Sequence, residues 1–456
     1  MTHTDAILNF ASAPHVLLPE VRADALRLLS DTLAGGAAGA VSPEALALLP
    51  AVTSWGGNGS SRLLHTPYTV SAEPVEARAF ANRPSISSGL TVRGNGMLLP
   101  APSAAFFNGF AIHCLEWDAV HEPAVVHALS VVTAALLAAS DRMDGCDPEA
   151  FLAALAVGVD IASGVGLSAT GPMKFFRPAT TGVIGAALAV ARLDGMTRYQ
   201  MADVLGLAYS FACGTMQAHV EASITLPLQI GNAARSAISA VDLIRAGMNG
   251  PNDVLEGPFG YSALIEPLEL SRYTGNLGKV WRISEVSIKP FPSGRASHGA
   301  LGALQDLRNE GGVLLDSVAS IELFAPPLIY RLVGRPHKPD APMSYNRLCL
   351  AFLAALMLRD GHIDPRHSET IPSLADNVIV TLDGNPDGNA LVPQRLVVKL
   401  NDGTTIERKI DANLGSPDGP MTPAQLASKY DLCRALAGDC DPRIFCDPLS
   451  YATDPK

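Results

Sequence analysis

The side chains best suited to chemistry crowd into one short stretch, His113-Cys-Leu-Glu116-Trp-Asp118-Ala-Val-His121-Glu122-Pro-Ala-Val-Val-His127. It lies between two Ala-rich runs, so polar groups collect where the flanking chain is apolar. Imidazoles and carboxylates at a helix end can move protons near neutral pH, or they can ligate a metal. A capped helix terminus with solvated charges would use the same residue types. A metal centre fits less well, because no His-x-x-x-His or Cys-x-x-Cys companion occurs elsewhere. The expectation is a site without metal or other cofactor.

Three further clusters stand out. Ser287-Ile-Lys289-Pro-Phe-Pro-Ser-Gly-Arg295-Ala-Ser-His298 reads as a strand, a Pro/Gly turn and the start of a helix. Cations beside free helix N–H groups suit carboxylate binding. A lone buried Lys paired with a core acid is the alternative. Lys174-Phe-Phe-Arg177-Pro-Ala-Thr180-Thr181-Gly182 is a turn opening onto a Gly/Ala-rich helix. Thr225-Leu-Pro-Leu-Gln229-Ile-Gly231-Asn232-Ala-Ala-Arg235 places small residues where helices pack closely or a ligand approaches. Packing is the commoner reason. Gly94-Asn-Gly96 is a turn rather than a dinucleotide loop, and neither Gly-x-Ser-x-Gly nor a Walker sequence occurs.

These clusters need elements to hold them. Helical spacing of apolar residues runs through 21–38, 103–115, 128–141, 148–167, 180–194, 198–216 and 228–246. Asp147 before Pro148 marks one helix start, and Gly247 one helix end. Helices this apolar on most faces belong inside a bundle. After about residue 270 the pattern changes. Alternation predicts strands at 281–289, 318–324, 378–382 and 395–410, the last with an Asn401-Asp402-Gly403 hairpin turn. Helical patterns intervene at 298–309 and 345–360, and a helix returns at 422–436 with Thr422 as its cap. The fold class is therefore mostly α with an α+β insert. Residues 1–269 begin a helical-bundle domain, 270–411 form a smaller α+β lid expected to move as a unit, and 412–456 return to the bundle.

Composition narrows the partners. With 48% hydrophobic and 17% charged residues over 456, the chain can bury a large interior, and two domains are expected at this length. A net charge of −11 disfavours nucleic acid, which needs clustered Lys and Arg, yet leaves room for a small anion in a cationic cleft. No stretch approaches the roughly 18 consecutive apolar residues of a membrane span. Met1-Thr2-His3-Thr4-Asp5 lacks a basic leader, and seven scattered cysteines suggest reduced thiols, so a cytoplasmic setting is expected.

Taken in order, the clusters resemble the MmgE/PrpD family. The likeness runs from Ala23-Asp-Ala-Leu-Arg-Leu-Leu-Ser-Asp-Thr-Leu-Ala-Gly-Gly through Ala105-Phe-Phe-Asn-Gly-Phe-Ala-Ile-His-Cys-Leu-Glu-Trp-Asp and Gln229-Ile-Gly-Asn-Ala-Ala-Arg to Pro420-Met-Thr-Pro-Ala-Gln-Leu-Ala-Ser-Lys-Tyr. It implies a helical domain and a lid with the active site between them, a homodimer, no cofactor and a small carboxylate substrate. By that resemblance Glu116 and Asp118 fall in the acidic motif, His127 matches the histidine after it, and Lys289 matches the lid lysine. His127 is then the candidate base, with Glu116 or Asp118 orienting it or acting as acid. Arg177 and Lys289 are expected to clamp carboxylates, and Gln229, Arg295, His298 and Arg335 are further binding candidates. Three departures count. Arg177 stands where a His before Pro is frequent, Leu226 where a Lys is common, and Ala119 and Val120 where an Asp and a polar residue are usual. A lyase acting by proton abstraction α to a carboxylate is the first expectation. An epimerase using the same step is the second, and a repurposed binding protein the third.

Overall fold

The computed structural model describes residues 2–65, 97–311, 313–366 and 373–455. The turn predicted at Gly94–Gly96 lies outside them. The helical part is built from α1 (Pro19–Ala40), α2 (Ala101–His113), α3 (Ala128–Arg142), α4 (Pro148–Leu167), α5 (Gly182–Leu193), α6 (Arg198–Ser210) and α7 (Thr225–Arg245). The Asp147 carboxylate accepts from the Ala150 N–H to start α4, and Gly247 closes α7 with φ +88°, as their residue types require. Two crossings are set by glycine. A Cβ on Gly231 of α7 would lie 2.4 Å from the Phe106 carbonyl of α2, and one on Gly185 of α5 would lie 2.3 Å from the Gly158 carbonyl of α4. Backbones in such contact leave no room for any side chain. The small residues of the Gln229 stretch therefore serve packing.

α4 qualifies the expectation about membranes, because it is long and apolar enough by length and composition to cross one. It is instead buried along almost its whole length inside the bundle. Its one interior charge, Asp160, is satisfied there, accepting from the Tyr273 hydroxyl at 2.8 Å and the Arg282 N–H at 2.8 Å.

Two hydrophobic cores divide the chain. The first joins the bundle helices and takes in Leu270, Tyr273, Ile283, Val286 and Ile288. The second runs from Phe291 to Ile410 with Ala222 added from the helical part, while Leu348 within that range packs with the first. The change of core thus falls at Pro290, later than the composition shift near 270. The strand expected over 281–289 is mostly a 3₁₀ turn, Arg282–Glu285, followed by only two paired residues. Those residues, β2 (Val286–Ser287), run antiparallel to β1 (Val120–His121) of the helical part. A unit spanning 270–411 is accordingly tied to the bundle by this ladder.

The second core lies between a four-stranded sheet and the helices α8 (His298–Asn309) and α9 (Leu350–Asp360). The sheet runs β4-β3-β5-β6, with β3 (Val318–Ala325), β4 (Val378–Leu382), β5 (Gln394–Leu400) and β6 (Thr405–Ile410). β3 pairs parallel with β4 and antiparallel with β5, and the Asn401–Gly403 turn joins β5 to β6. The chain then returns as α10 (Pro423–Ala437), capped by Thr422, and packs Cys433 and Ala437 into the first core.

Candidate active site

The α2–α7 crossing fixes where α2 ends, and α2 ends at His113. The Arg347 guanidinium donates to the Cys114 carbonyl at 2.9 Å and so satisfies one orphan acceptor of that terminus. Two non-glycine residues in the left-handed region then reverse the chain: Glu116 at φ +55° and Val125 at φ +55°. For Val, whose branched Cβ opposes this conformation, the surroundings must hold it in place. Between the two reversals lie Asp118 and β1, and beyond them His127 begins α3.

Asp118 is the hub. Its Oδ2 accepts from His113 Nδ1 at 2.9 Å and, at very short range, from the Ser130 hydroxyl. His127 Nδ1 lies 3.1 Å from the same oxygen, and the two imidazole rings meet edge to face with centroids 4.9 Å apart. Lys289, delivered by the β1–β2 ladder, places its ammonium 3.6 Å from Asp118 Oδ1 and 3.3 Å from Glu116 Oε2, and donates to the Glu116 carbonyl at 3.0 Å. Asp118 and Lys289 are wholly enclosed, whereas His127 keeps some exposure to the cleft.

Charge balance here separates the two histidines. Burial alone would raise Asp118, but the His113, His127 and Lys289 charges hold its carboxyl well below the usual range. Glu116 is treated likewise, with burial outweighed by His113 and Lys289. Burial disfavours charge on both imidazoles. For His113 it is overcome by Asp118 and Glu116, so its pKa is raised. For His127 burial wins over Asp118, and Lys289 adds to it, so its pKa is lowered. One site thus holds two imidazoles on a shared carboxylate with their proton affinities shifted in opposite directions.

Both histidines and Glu116 open onto a cleft that Glu122, His219 and Arg295 also border. His113, Asp118 and His127 bring their ligand atoms within 4.8 Å of one another, a spacing a metal ion could use. The donors, however, are turned onto the Asp118 oxygen rather than a common empty point, and the Lys289 ammonium already balances that carboxylate. The arrangement is better suited to proton traffic than to a cation.

The other predicted residues part company. Arg295 borders the cleft but is held by Glu122, with Nη2 and Nε at 2.6 and 2.9 Å from Oε1, while Nη1 donates to the Leu414 carbonyl. His298 is fully buried between Arg295 Nη1 and Ser293, and burial together with Arg295 keeps it far below the ordinary histidine range. Gln229 folds back on the chain, accepting from the Thr215 N–H at 2.6 Å. Arg335 donates from Nη2 to the His219 carbonyl at 2.9 Å.

Arg177 needs correcting. It is fully enclosed, its Nε lies 2.9 Å from both Glu266 oxygens, and its remaining nitrogens donate to the Ala124 and Gly171 carbonyls. A guanidinium so occupied braces the loop before α5 and has no free edge for a substrate carboxylate. Sequence reading also passed over His219 and Ser130, and it carried His113 no further than its cluster. His113 could have been found by its position, last in a helix and five residues before Asp118. His219 had no local signal.

Comparison with known proteins gives the family. Residues 73–269 match the MmgE/PrpD N-terminal domain, and residues 291–442 match the MmgE/PrpD C-terminal domain. The chain belongs to the MmgE/PrpD family. The unmatched stretch between the two domains, 270–290, is the crossing segment that carries Lys289. Among its relatives, the cis-aconitate decarboxylase of Homo sapiens is 28% identical over 365 residues, 73% of this chain and 72% of that protein. The cis-aconitate decarboxylase of Mus musculus is 26% identical over 364 residues, 73% and 71% of the two chains. That of Aspergillus terreus is 26% identical over 383 residues, 76% of each.

Proposed function

We propose that this MmgE/PrpD protein is a lyase that acts on a small carboxylate by moving a proton at the α carbon. The observation that carries the reading is Asp118 Oδ2, shared by His113 and His127 while their proton affinities are pushed in opposite directions. Groups driven apart in this way supply an acid and a base in one site. The relatives named cis-aconitate decarboxylase support the lyase class.

In this reading His127, neutral and facing the cleft, removes the α proton, and the electron pair moves onto the substrate carboxylate as an enediolate. His113, charged, returns a proton. If hydroxide leaves, the His113 proton accompanies it as water. If instead a C–C bond breaks and CO₂ leaves, no α proton need come off first, and the same proton goes to the carbanion. Lys289 acts through Glu116 and Asp118, keeping both ionised, and so positions rather than clamps. A homodimer, on the family likeness, and a cytoplasmic setting, on the seven scattered cysteines, remain part of the proposal.

The test is incubation of candidate carboxylates with the protein in D₂O. Loss of CO₂ by mass with one deuterium on the carbon that held it, or loss of water by mass with no deuterium fixed in that step, supports the lyase. Deuterium without mass loss would replace it with an epimerase. Silence throughout would leave a binding protein.

A further inference from the structure

Among the described residues the polar side chains that border the cleft are His113, Glu116, Glu122, His127, His219 and Arg295. Five of them have fixed partners. His113 and His127 share Asp118 and carry the proton, and Glu116 meets Lys289. Glu122 is held by Arg295, whose own nitrogens are spent on Glu122, His298 and the Leu414 carbonyl. None of the five is a spare donor for the charge that gathers on a substrate carboxylate when the α proton leaves.

His219 is placed differently. Behind it stands Arg335, stacked on the Tyr345 ring with its guanidinium carbon 5.0 Å from the centroid. Arg335 Nη2 donates to the His219 carbonyl at 2.9 Å and lies 3.5 Å from His219 Nδ1. A guanidinium nitrogen only donates, so the Nδ1 facing it is the bare one and the proton of the neutral ring sits on Nε2. Nε2 has no hydrogen-bond partner among the described residues, yet it is not sealed from solvent, so it opens to the cleft that His219 borders. Burial and the Arg335 charge, with Glu116 opposing and Arg331 adding, push the pKa of the ring down to about 4. The ring is therefore uncharged at neutral pH, and its N–H is a donor without being an acid.

We propose that His219 is a further catalytic residue, a neutral imidazole held in its Nε2–H form by Arg335, which donates a hydrogen bond to the substrate carboxylate as that group takes on enediolate charge. This rests on the carboxylate-lyase reading and deepens it. The proton stays on Nε2 throughout, and only the strength of the bond changes as the electron pair moves onto the carboxylate oxygen. A donor set in place before the reaction needs no rearrangement when the charge arrives, which is why such groups lower barriers. A histidine kept neutral by its surroundings is an established way to polarise an oxygen. Arg335 does not reach the cleft in this scheme. It is a positioning residue that acts through the imidazole.

Two measurements on the intact chain test it. In protein carrying ¹⁵N-labelled histidine, the ring signals that vanish in His219→Gln belong to His219. A ring protonated on Nε2 and still uncharged across the ordinary histidine range is expected without any ligand. A proton on Nδ1, or a ring that charges within that range, overturns the inference and leaves the lyase standing. Arg335→Met should let the second tautomer appear, and an unchanged ring spectrum overturns the inference too. Turnover in D₂O and calorimetric binding are then compared for crotonate, succinate and cis-aconitate. His219→Phe fills the same space without the donor, so kcat should fall ~10²–10³-fold with KM moved less. His219→Gln should recover most of that loss, because its amide N–H reaches nearly the place of Nε2. Full turnover in His219→Phe, or no recovery in His219→Gln, makes His219 a packing residue and sinks the proposal. Binding of a carboxylate without exchange or mass loss overturns the lyase, and a ~10–100-fold weaker complex in His219→Phe, restored in His219→Gln, would still keep His219 as the donor. Binding of none of the three overturns the inference.

Discussion

At the scale of single residues, the shared carboxylate of Asp118 gives two histidines different work. His127→Asn should lower kcat/KM by ~10²–10⁴-fold and abolish α-proton exchange, the usual contribution of a general base. The pH profile follows from the directions of the shifts. His127 must be neutral, and its pKa lies below the ordinary 6.5, so activity falls on the acid side only below pH 6.5. His113 must be charged, and its pKa lies above 6.5, so the alkaline limb begins above that value. His113→Asn should remove the alkaline limb and slow the reaction, and a kcat/KM profile of each variant checks both statements. The limbs belong to the coupled pair, so one substitution shifts the other's midpoint too. Arg177 is a different case. Arg177→Lys keeps the charge but loses the planar fork that meets Glu266 through Nε and the Ala124 and Gly171 carbonyls through Nη1 and Nη2. Lower thermal stability with turnover of the folded fraction intact is the expected result, measured by melting and by active-site titration. Loss of turnover at unchanged stability would return Arg177 to the site. The last expectation at this scale concerns metal. With Lys289 already balancing Asp118, purified protein should keep full activity after EDTA, and elemental analysis should find no stoichiometric ion.

At the scale of elements, the site is a consequence of how closely two helices approach. Gly231 meets the Phe106 backbone, so α2 and α7 touch main chain to main chain. Gly231→Ala would drive a methyl into a carbonyl and push the helices apart. A loss of about 1–3 kcal/mol in denaturant unfolding is expected, the range for overpacking, with activity falling because His113 rides on the displaced end of α2. The β1–β2 ladder is as short as pairing can be, yet it carries Lys289 to Glu116 across a large gap in sequence. It also explains why the segment before Pro290 packs with the bundle although its composition resembles the insert.

At the scale of the molecule, the two ends of the chain meet behind the site. Lys429 of α10 pairs with Asp31 of α1 at 2.6 Å, both enclosed, and donates to the Trp117 carbonyl at 3.2 Å. Trp117 lies between Glu116 and Asp118 and is itself fully buried. Removing one partner of a buried pair leaves the other charge uncompensated, so Lys429→Met should cost about 3–5 kcal/mol in equilibrium unfolding.

Much of this was legible in the residues themselves. Helix positions followed from apolar spacing and from Asp147, Thr422 and Gly247, because caps and periodicity act within a few residues. The alternating strands 318–324, 378–382 and 395–410 were readable for the same reason. Clustering placed Glu116, Asp118 and His127 together, since a short segment keeps its side chains near one another. What only the tertiary structure decided are relations over long separations. The pairing of Arg177 with Glu266, the arrival of His219 at the cleft, and the change of core near Pro290 depend on packing between distant segments. So does the division of labour between His113 and His127. Their residue type is the same, and only burial and the neighbouring charges of Asp118, Glu116 and Lys289 tell them apart.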